Sequence, residues 1–307
     1  MRNLMRRLAE APLSYCGLTL VRSDRFSQLL HAQELLPLLP QDHETRLDYV
    51  PDKKIGNAGF SLNIEHQLAF LQKLSEPRFQ ELFRGLRADP KINVGFGGKN
   101  YRDHGLIHNG YYPTPDAELY AAFIAEYQPV RIIEIGSGYS TLVAHYTITH
   151  FGIKSEIHAI DPEPRRDVLD YASRIEKERV ENSSISTIDF SQNKRTILFI
   201  DSSHITMTGG DIPLLFCQIL PNLPAGIIVH VHDIFTPFDY PANYGRRYYT
   251  EQYVLQALLA NNPKLSVLFS THLMSREHPQ QMQAIFGSQV GNDPLFFGAS
   301  FWMETVA

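Results

Sequence analysis

The chain has 307 residues, 43% hydrophobic and 20% charged, with a formal net charge of −5. That balance is ordinary for a folded globular protein and excludes nucleic acid as the main partner, which would require a basic face. Cys16 and Cys217 are too few for a disulfide framework, and no apolar run reaches the length of a transmembrane helix.

In chain order, the opening MRNLMRRLAEAPLSYCGLTLV is basic and then mildly apolar. It lacks an uninterrupted apolar core and a small-residue cleavage site, which argues against a signal peptide and for a cytoplasmic protein. Residues 1–87 read as a mainly helical extension, amphipathic from Asn63 to Leu74 for example. Residues 88–114 interleave glycines with aromatics, histidines and asparagines, the composition of a connector or a lid. Pro115, with Thr114 before it and Asp116 and Glu118 after it, opens a helix and a domain over 115–307. Strands are expected at Arg131–Ile135, Glu156–Asp161, Ser184–Ile188, Thr196–Ile200, Gly226–Val231, Leu265–Ser270 and Phe297–Met303. Helices are expected at Tyr139–His150, Pro164–Lys177, Gly210–Leu220 and Arg246–Ala260, with Cys217 as a core thiol in the third. Alternation of this kind predicts an α/β fold: a doubly wound, mostly parallel, seven-stranded Rossmann-like sheet.

The stretch RIIEIGSGYST carries the most information. A strand ends in Glu134, turns through Gly136-Ser137-Gly138, and passes into a helix starting with Ser140 and Thr141. Such a turn lets backbone approach a ligand closely, and the helix start offers unbonded N–H groups. A dinucleotide-binding turn would carry a third glycine, which is missing. Asp161 ends the next strand, where an acid takes ribose hydroxyls in several nucleotide-binding folds; Pro162 and Pro164 leave a helix cap open as an alternative. Two further strands end in Asp201-Ser-Ser-His204 and His230-Val-His232-Asp233. Neighbouring strands lie about 4.8 Å apart, so Asp201 and Asp233 can share one ion, and carboxylates with an imidazole suit Mg²⁺ or Mn²⁺. His230 and His232 point to one sheet face, and one of them is expected to be a buried, hydrogen-bonded histidine. The aromatic, polar run from Phe235 to Tyr253 suits a sugar or phenolic ring, or else helix–loop packing.

Glu134-x-Gly136-x-Gly138 at the end of a first strand resembles motif I of the class I S-adenosylmethionine-dependent methyltransferases. The resemblance implies a reversed last strand. It implies that Glu134, Gly136, Ser137, Gly138, Ser140 and Thr141 carry the methionine and ribose parts of S-adenosylmethionine, with Asp161 on the ribose and Asp189 on the adenine. IDSSH followed by HVHDIF and EQY is similar to a largely uncharacterised bacterial group, close in layout to macrocin-type sugar, cephalosporin-hydroxylase-like and catechol-type O-methyltransferases. That likeness implies Asp201, His232 and Asp233 as ligands of a divalent cation and His204 as the base, with His232 standing where an acid is usual. The function it implies is metal-assisted O-methylation of a glycoside, saccharide or secondary metabolite by a protein whose oligomeric state, including a homo-oligomer, stays open. The alternatives are an NAD-dependent oxidoreductase, which the missing third glycine disfavours, and a non-catalytic cofactor-binding partner subunit.

Overall fold

Arg131–Ile135 (β1), Glu156–Ile160 (β2), Arg174–Glu176 (β3), Thr196–Ile200 (β4), Ile228–Val231 (β5), Leu265–Ser270 (β6) and Phe301–Thr305 (β7) pair into one sheet. Its order is β3-β2-β1-β4-β5-β7-β6, with β7 antiparallel to both neighbours and the other pairings parallel. This is the doubly wound, seven-stranded sheet with a reversed last strand that the sequence predicts. The computed structural model describes residues 50–95, 105–165, 168–191, 195–244, 247–287 and 298–307. Residues 1–49 of the expected helical extension and 96–104 of the connector lie outside them, as do Arg246 and Phe297.

The central strands are apolar without interruption because both their faces are covered. Side chains alternate between two cores: Ile132, Ile197 and Phe199 enter one, while Ile133, Leu198 and Ile200 enter the other. Ile64–Lys73 (α1), Pro77–Ala88 (α2), Asp116–Tyr127 (α3) and Tyr139–Phe151 (α4) supply the first core. In α2 the buried Phe79, Leu82, Phe83 and Leu86 form a helical stripe, so this part of the extension packs with the sheet. On the second face lies Asp211–Leu214 (α5), which runs on as a π-turn over Leu215–Ile219, together with Glu251–Leu259 (α6). Thr271–Glu277 (α7) and Pro279–Phe286 (α8), both short, connect β6 to β7. Pro51–Ala307 form one compact unit.

Three expectations need correction. The segment expected to be a helix over Pro164–Lys177 instead contains β3. That strand holds a single apolar residue, Ile175, and pairs with β2 only, so no alternation of useful length is present to read. Ser184–Ile188, read as the third strand, is a 3₁₀ turn over Ser184–Thr187. Its alternating Ser and Thr residues bond their own backbone: Ser183 Oγ accepts from Ile185 N–H at 3.2 Å, and Thr187 Oγ1 donates to the Ser184 carbonyl at 2.7 Å. Cys217 is exposed, because the buried face of its segment is Ile212, Leu215, Phe216 and Leu220.

Trp302 on β7 is completely buried, with its ring stacked 4.1 Å from Phe123 and lying tilted 5.7 Å from Tyr120. Trp302→Ala is therefore expected to cost about 3–5 kcal/mol of stability in denaturant unfolding.

Candidate functional site

Two clefts open beyond the carboxyl ends of β1, β2, β4 and β5, and they meet at one residue. The first, about 570 Å³, runs over the glycine turn and is lined by Gly136, Ser137, Asp161, Glu181, Asp201 and Asp211. Gly136 has φ +87°, and a Cβ there would stand 2.1 Å from the Asp201 carbonyl oxygen. The turn after β1 thus presses directly on the turn after β4, and Asp201 N–H donates to the Ile135 carbonyl at 2.9 Å. Ser137 donates twice to Asp161 Oδ2, from its N–H at 2.8 Å and its Oγ at 2.6 Å. Asp161 Oδ1 accepts from Glu163 N–H at 2.8 Å. Asp161 therefore stands in the cleft wall and braces the turn at once. Gly138, Ser140 and Tyr139 line a side recess together with Tyr111 and Arg165.

Glu134 lies beneath the turn, not in either cleft, and is fully buried. It accepts from Thr141 Oγ1 at 2.5 Å and Tyr120 Oη at 3.1 Å, while Thr141 Oγ1 itself accepts from Gly138 N–H at 3.2 Å. Glu134 and Thr141 are thus the underside support of the loop. Burial pushes the Glu134 carboxyl up to about 7, against the hydrogen bonds that favour its anion. Asp189 is not in the cleft. It is exposed, its carboxylate caps Ser191, and its carbonyl faces Arg131 at the beginning of β1, the far end of the sheet. Because the true third strand lies earlier, the residues that follow it into the cleft are Arg179, Val180 and Glu181. A strand of three residues has no periodicity by which the sequence could point to them.

The second pocket, about 490 Å³, contains Asp116, Asp201, His204, His232 and Asp233 under aromatic walls from Tyr111, Phe235, Tyr244 and Tyr249. Carboxylates and imidazoles alternate in it. His204 Nε2 stands 3.3 Å from Asp201 Oδ1 and 3.6 Å from Asp233 Oδ2, and its Nδ1 is 2.8 Å from Glu251 Oε2. His232 Nδ1 is 3.7 Å from both Asp201 Oδ1 and Asp233 Oδ1, and its Nε2 is 3.5 Å from Asp116 Oδ2. Burial opposes a charge on His204, but the hydrogen bonds to Asp201 and Glu251 outweigh it and raise its pKa well above the ordinary value. His232 follows the same pattern, its burial overcome first by the charge of Asp201. Burial likewise works to raise the Asp201 carboxyl, yet the charge of His232 and the bonds from both imidazoles hold it far below the carboxylate range.

The backbone is bent to make this cluster. His204 and Asp233 both adopt left-handed φ, +62° and +57°, which is rare outside glycine and concentrates at functional sites. The His204 carbonyl accepts from the N–H groups of Thr250 and Glu251 at 2.9 and 3.2 Å, tying this turn to the start of α6. Asp233 accepts from Tyr244 Oη at 2.8 Å. His230 is the structural histidine: it is fully buried, stacked 4.0 Å from Phe199, and bonded to Ser300 Oγ at 2.9 Å. Asp116 and Glu251 were not anticipated as site residues. Each looks from the sequence like an acid in the first turn of a helix; only the fold shows them fully buried against imidazoles. Among the described residues no group of three or more His, Cys, Asp or Glu side chains is arranged to hold a metal ion, and no helix is long and apolar enough to cross a membrane.

No family model matches the chain. An uncharacterized protein of Archaeoglobus fulgidus is 45% identical over 69 residues, a match spanning 21% of this chain and 31% of that protein's length. Solved structures of similar outline include an SAH-bound methyltransferase of Podospora anserina, at 15% identity and TM-score 0.41, covering 80% of this chain and 95% of that one. An O-methyltransferase of Bacillus cereus in complex with SAH aligns at 15% identity and TM-score 0.38, covering 80% of this chain and 100% of that one. The mycinamycin-pathway methyltransferase MycE, with Mg, SAH and mycinamycin VI, aligns at 17% identity and TM-score 0.36, covering 76% and 55%. With scores this low, function has to be argued from the chain's own site.

Two predictions follow from the loop. Gly136→Ala places a methyl group against a carbonyl and strains φ, so unfolding free energy should fall by about 2 kcal/mol or more, measured by chemical denaturation. Glu134 titrates at about 7 when folded, against an ordinary 4.5. In that window the folded state holds a proton the unfolded chain has released, so this group's stabilising contribution is fully present below the lower value and declines as pH rises through the higher one. Glu134→Gln should remove a slope of up to about 1.4 kcal/mol per pH unit, read as the difference between wild-type and variant stability across that range.

Proposed function

We propose that this chain is an S-adenosylmethionine-dependent methyltransferase that methylates a hydroxyl oxygen. One observation carries the reading: Asp201 lines both the glycine-turn cleft and the aromatic pocket, with His204 beside it, so a donor and an acceptor laid in the two clefts meet at a carboxylate. The electrostatics of the donor side support a sulfonium. Among the described residues, Asp161, Glu181, Asp201 and Asp211 line it against one guanidinium, that of Arg179. A cation is stabilised there, whereas the pyrophosphate of NAD would meet like charge and would lack the third glycine of its usual turn.

Methyl transfer is an in-line displacement at the sulfonium carbon, and the attacking oxygen must lose its proton. His204 Nε2 faces the junction and its Nδ1 is held by Glu251, the arrangement of an oriented general base. At rest its proton is stabilised by Asp201 and Glu251. A bound sulfonium competes for the same Asp201 charge, which lowers the imidazole pKa and readies His204 to accept the hydroxyl proton. The two clefts supply the rest by holding oxygen and methyl group at attack distance. The pocket's aromatic walls and polar groups suit a glycoside, saccharide or ring-bearing secondary metabolite.

A divalent cation is the second reading: as placed, no three side chains among the described residues are arranged to hold one, but both carboxylates face His232 Nδ1 at 3.7 Å and would have to close on a bound ion. Asp201, His232 and Asp233 would hold it, with His232 giving up its proton, and a bound cation would acidify an acceptor hydroxyl. As placed, the imidazoles themselves supply positive charge between the carboxylates.

Titration calorimetry separates the donors: SAH should bind and NAD should not, and the reverse would overturn the reading. With an acceptor found in a panel of methyl glycosides and phenols, His204→Ala should lower kcat by about 10²–10⁴-fold while SAH affinity stays within a few-fold. Activity that survives exhaustive chelation would exclude the cation; activity lost and then restored by Mg²⁺ or Mn²⁺ would establish it.

A further inference from the structure

The aromatic pocket has a second charged group that the methyl-transfer reading leaves unused. Asp52 lines it, along with His272, and comes from a segment far from the sheet in sequence. Residues of the 51–56 strap are stitched along the 237–240 turn. Lys54 bridges to Phe238 antiparallel, Asp239 N–H donates to the Lys53 carbonyl at 2.8 Å, and Ile55 and Gly56 N–H groups donate to the Pro237 carbonyl at 2.8 and 3.0 Å. The strap ends at Asp52 with φ +58°, a left-handed turn that a non-glycine residue adopts at a cost.

The side chain is held from behind. Oδ1 stands 3.5 Å from His272 Nε2, and Oδ2 stands 3.4 Å from Arg276 Nη1. Oδ1 is buried and makes no hydrogen bond within the protein. The His272 ring is buried and packs edge-on to Phe235 and Phe238, at 5.0 and 5.5 Å, so it does not swing freely. The contact with His272 first, and then the Arg276 guanidinium, keep the Asp52 carboxyl below its ordinary range against its partial burial. It is thus an anchored anion in a ligand pocket, able only to accept hydrogen bonds.

We propose that Asp52, backed by His272 and Arg276, is a second recognition subsite of the acceptor pocket, taking a hydroxyl of a neutral pyranoside other than the one that is methylated. This rests on the reading of that pocket as the acceptor side. The chemistry selects the class. A pyranose ring offers an apolar C–H face to Tyr244, Phe235 and Tyr249 and hydroxyl donors at its edge for the carboxylates. Asp116, Asp201 and Asp233 are balanced by His204, His232 and Arg247, but an acidic group placed at Asp52 would meet a like charge, and a simple phenol would leave Asp52 without a donor. A hydroxyl held at Asp52 would orient the ring in the pocket and so bias which oxygen faces His204.

The test reads binding without the reaction. Saturation-transfer NMR is run on a panel of methyl pyranosides (gluco, galacto, manno and rhamno) and on methyl glucuronide, with wild-type protein and with Asp52→Asn and Asp52→Gly. Asn is nearly isosteric and tolerates left-handed φ, and Gly relieves the strain entirely, so both delete the carboxylate without adding backbone strain. The expected result is that at least one neutral pyranoside binds wild type, that methyl glucuronide does not, and that both variants weaken the neutral ligand at least roughly tenfold while SAH affinity stays within twofold. Unchanged pyranoside binding in either folded variant, preference for the glucuronide, or no binding of any neutral pyranoside to wild type would overturn the subsite. Failure of SAH to bind at all is a separate outcome: it sinks the methyltransferase reading and, with it, the acceptor role of the pocket.

Discussion

The approach of two strand-end turns, Gly136 against the Asp201 carbonyl, is the contact on which the rest of the site depends. Parallel pairing places Ile135 beside Ile200, and Ile200 beside Val231, so the turns after β1, β4 and β5 leave the sheet at one level. With a hydrogen atom in place of a side chain, the first turn can lie on the second. Asp201 is then pinned by its own N–H to Ile135 while its carboxylate reaches the wall shared by both clefts. A larger residue at 136 would part the turns and separate the two halves of the site.

Around that point the protein buries charge in alternation. Asp201, Asp233, Asp116 and Glu251 face His204 and His232, and every one of these side chains except Asp201 is nearly inaccessible. Such a cluster is a poor source of stability, because desolvation offsets most of the attraction. Its value lies in orientation. Each imidazole nitrogen faces one or two of these carboxylates, and two of the residues sit in left-handed backbone that the surrounding hydrogen bonds enforce. Strain and buried charge coincide at the one place where the clefts meet.

Much of the fold was legible from periodicity alone. β1, β4 and β6 fall where uninterrupted apolar runs predict them, and α4 follows the glycine turn as expected. What was not legible shares one cause: elements too short for a period to show. β3 has three residues, and the 3₁₀ turn at Ser184 imitates strand alternation through side chains that bond backbone. From that misreading came the placement of Asp189 in a cleft it does not reach, and the omission of Arg179 and Glu181. Glu134 shows another limit. Its motif marks the loop, but the direction of a strand-end side chain, down into the core beneath Thr141, is a matter of which face of the sheet is covered.

The two clefts also differ in how they are encoded. The glycine-turn cleft is built of neighbours: strand, turn and helix start within about a dozen residues, with an acid on the adjacent strand, so spacing reveals it. In the pocket beyond Asp201, His204 and His232 stand in strand-end patterns that spacing reveals, but Asp52, Asp116 and His272, with Glu251 behind His204, come from scattered positions and join them only through tertiary contacts. A cofactor common to many enzymes can be held by one local device that tolerates change around it. An acceptor peculiar to one enzyme is recognised by side chains that any loop or helix can contribute, provided the sheet holds them in place. The difference in legibility between the halves therefore follows from how each is assembled, the glycine turn from chain neighbours and the aromatic pocket from side chains that only the fold brings together.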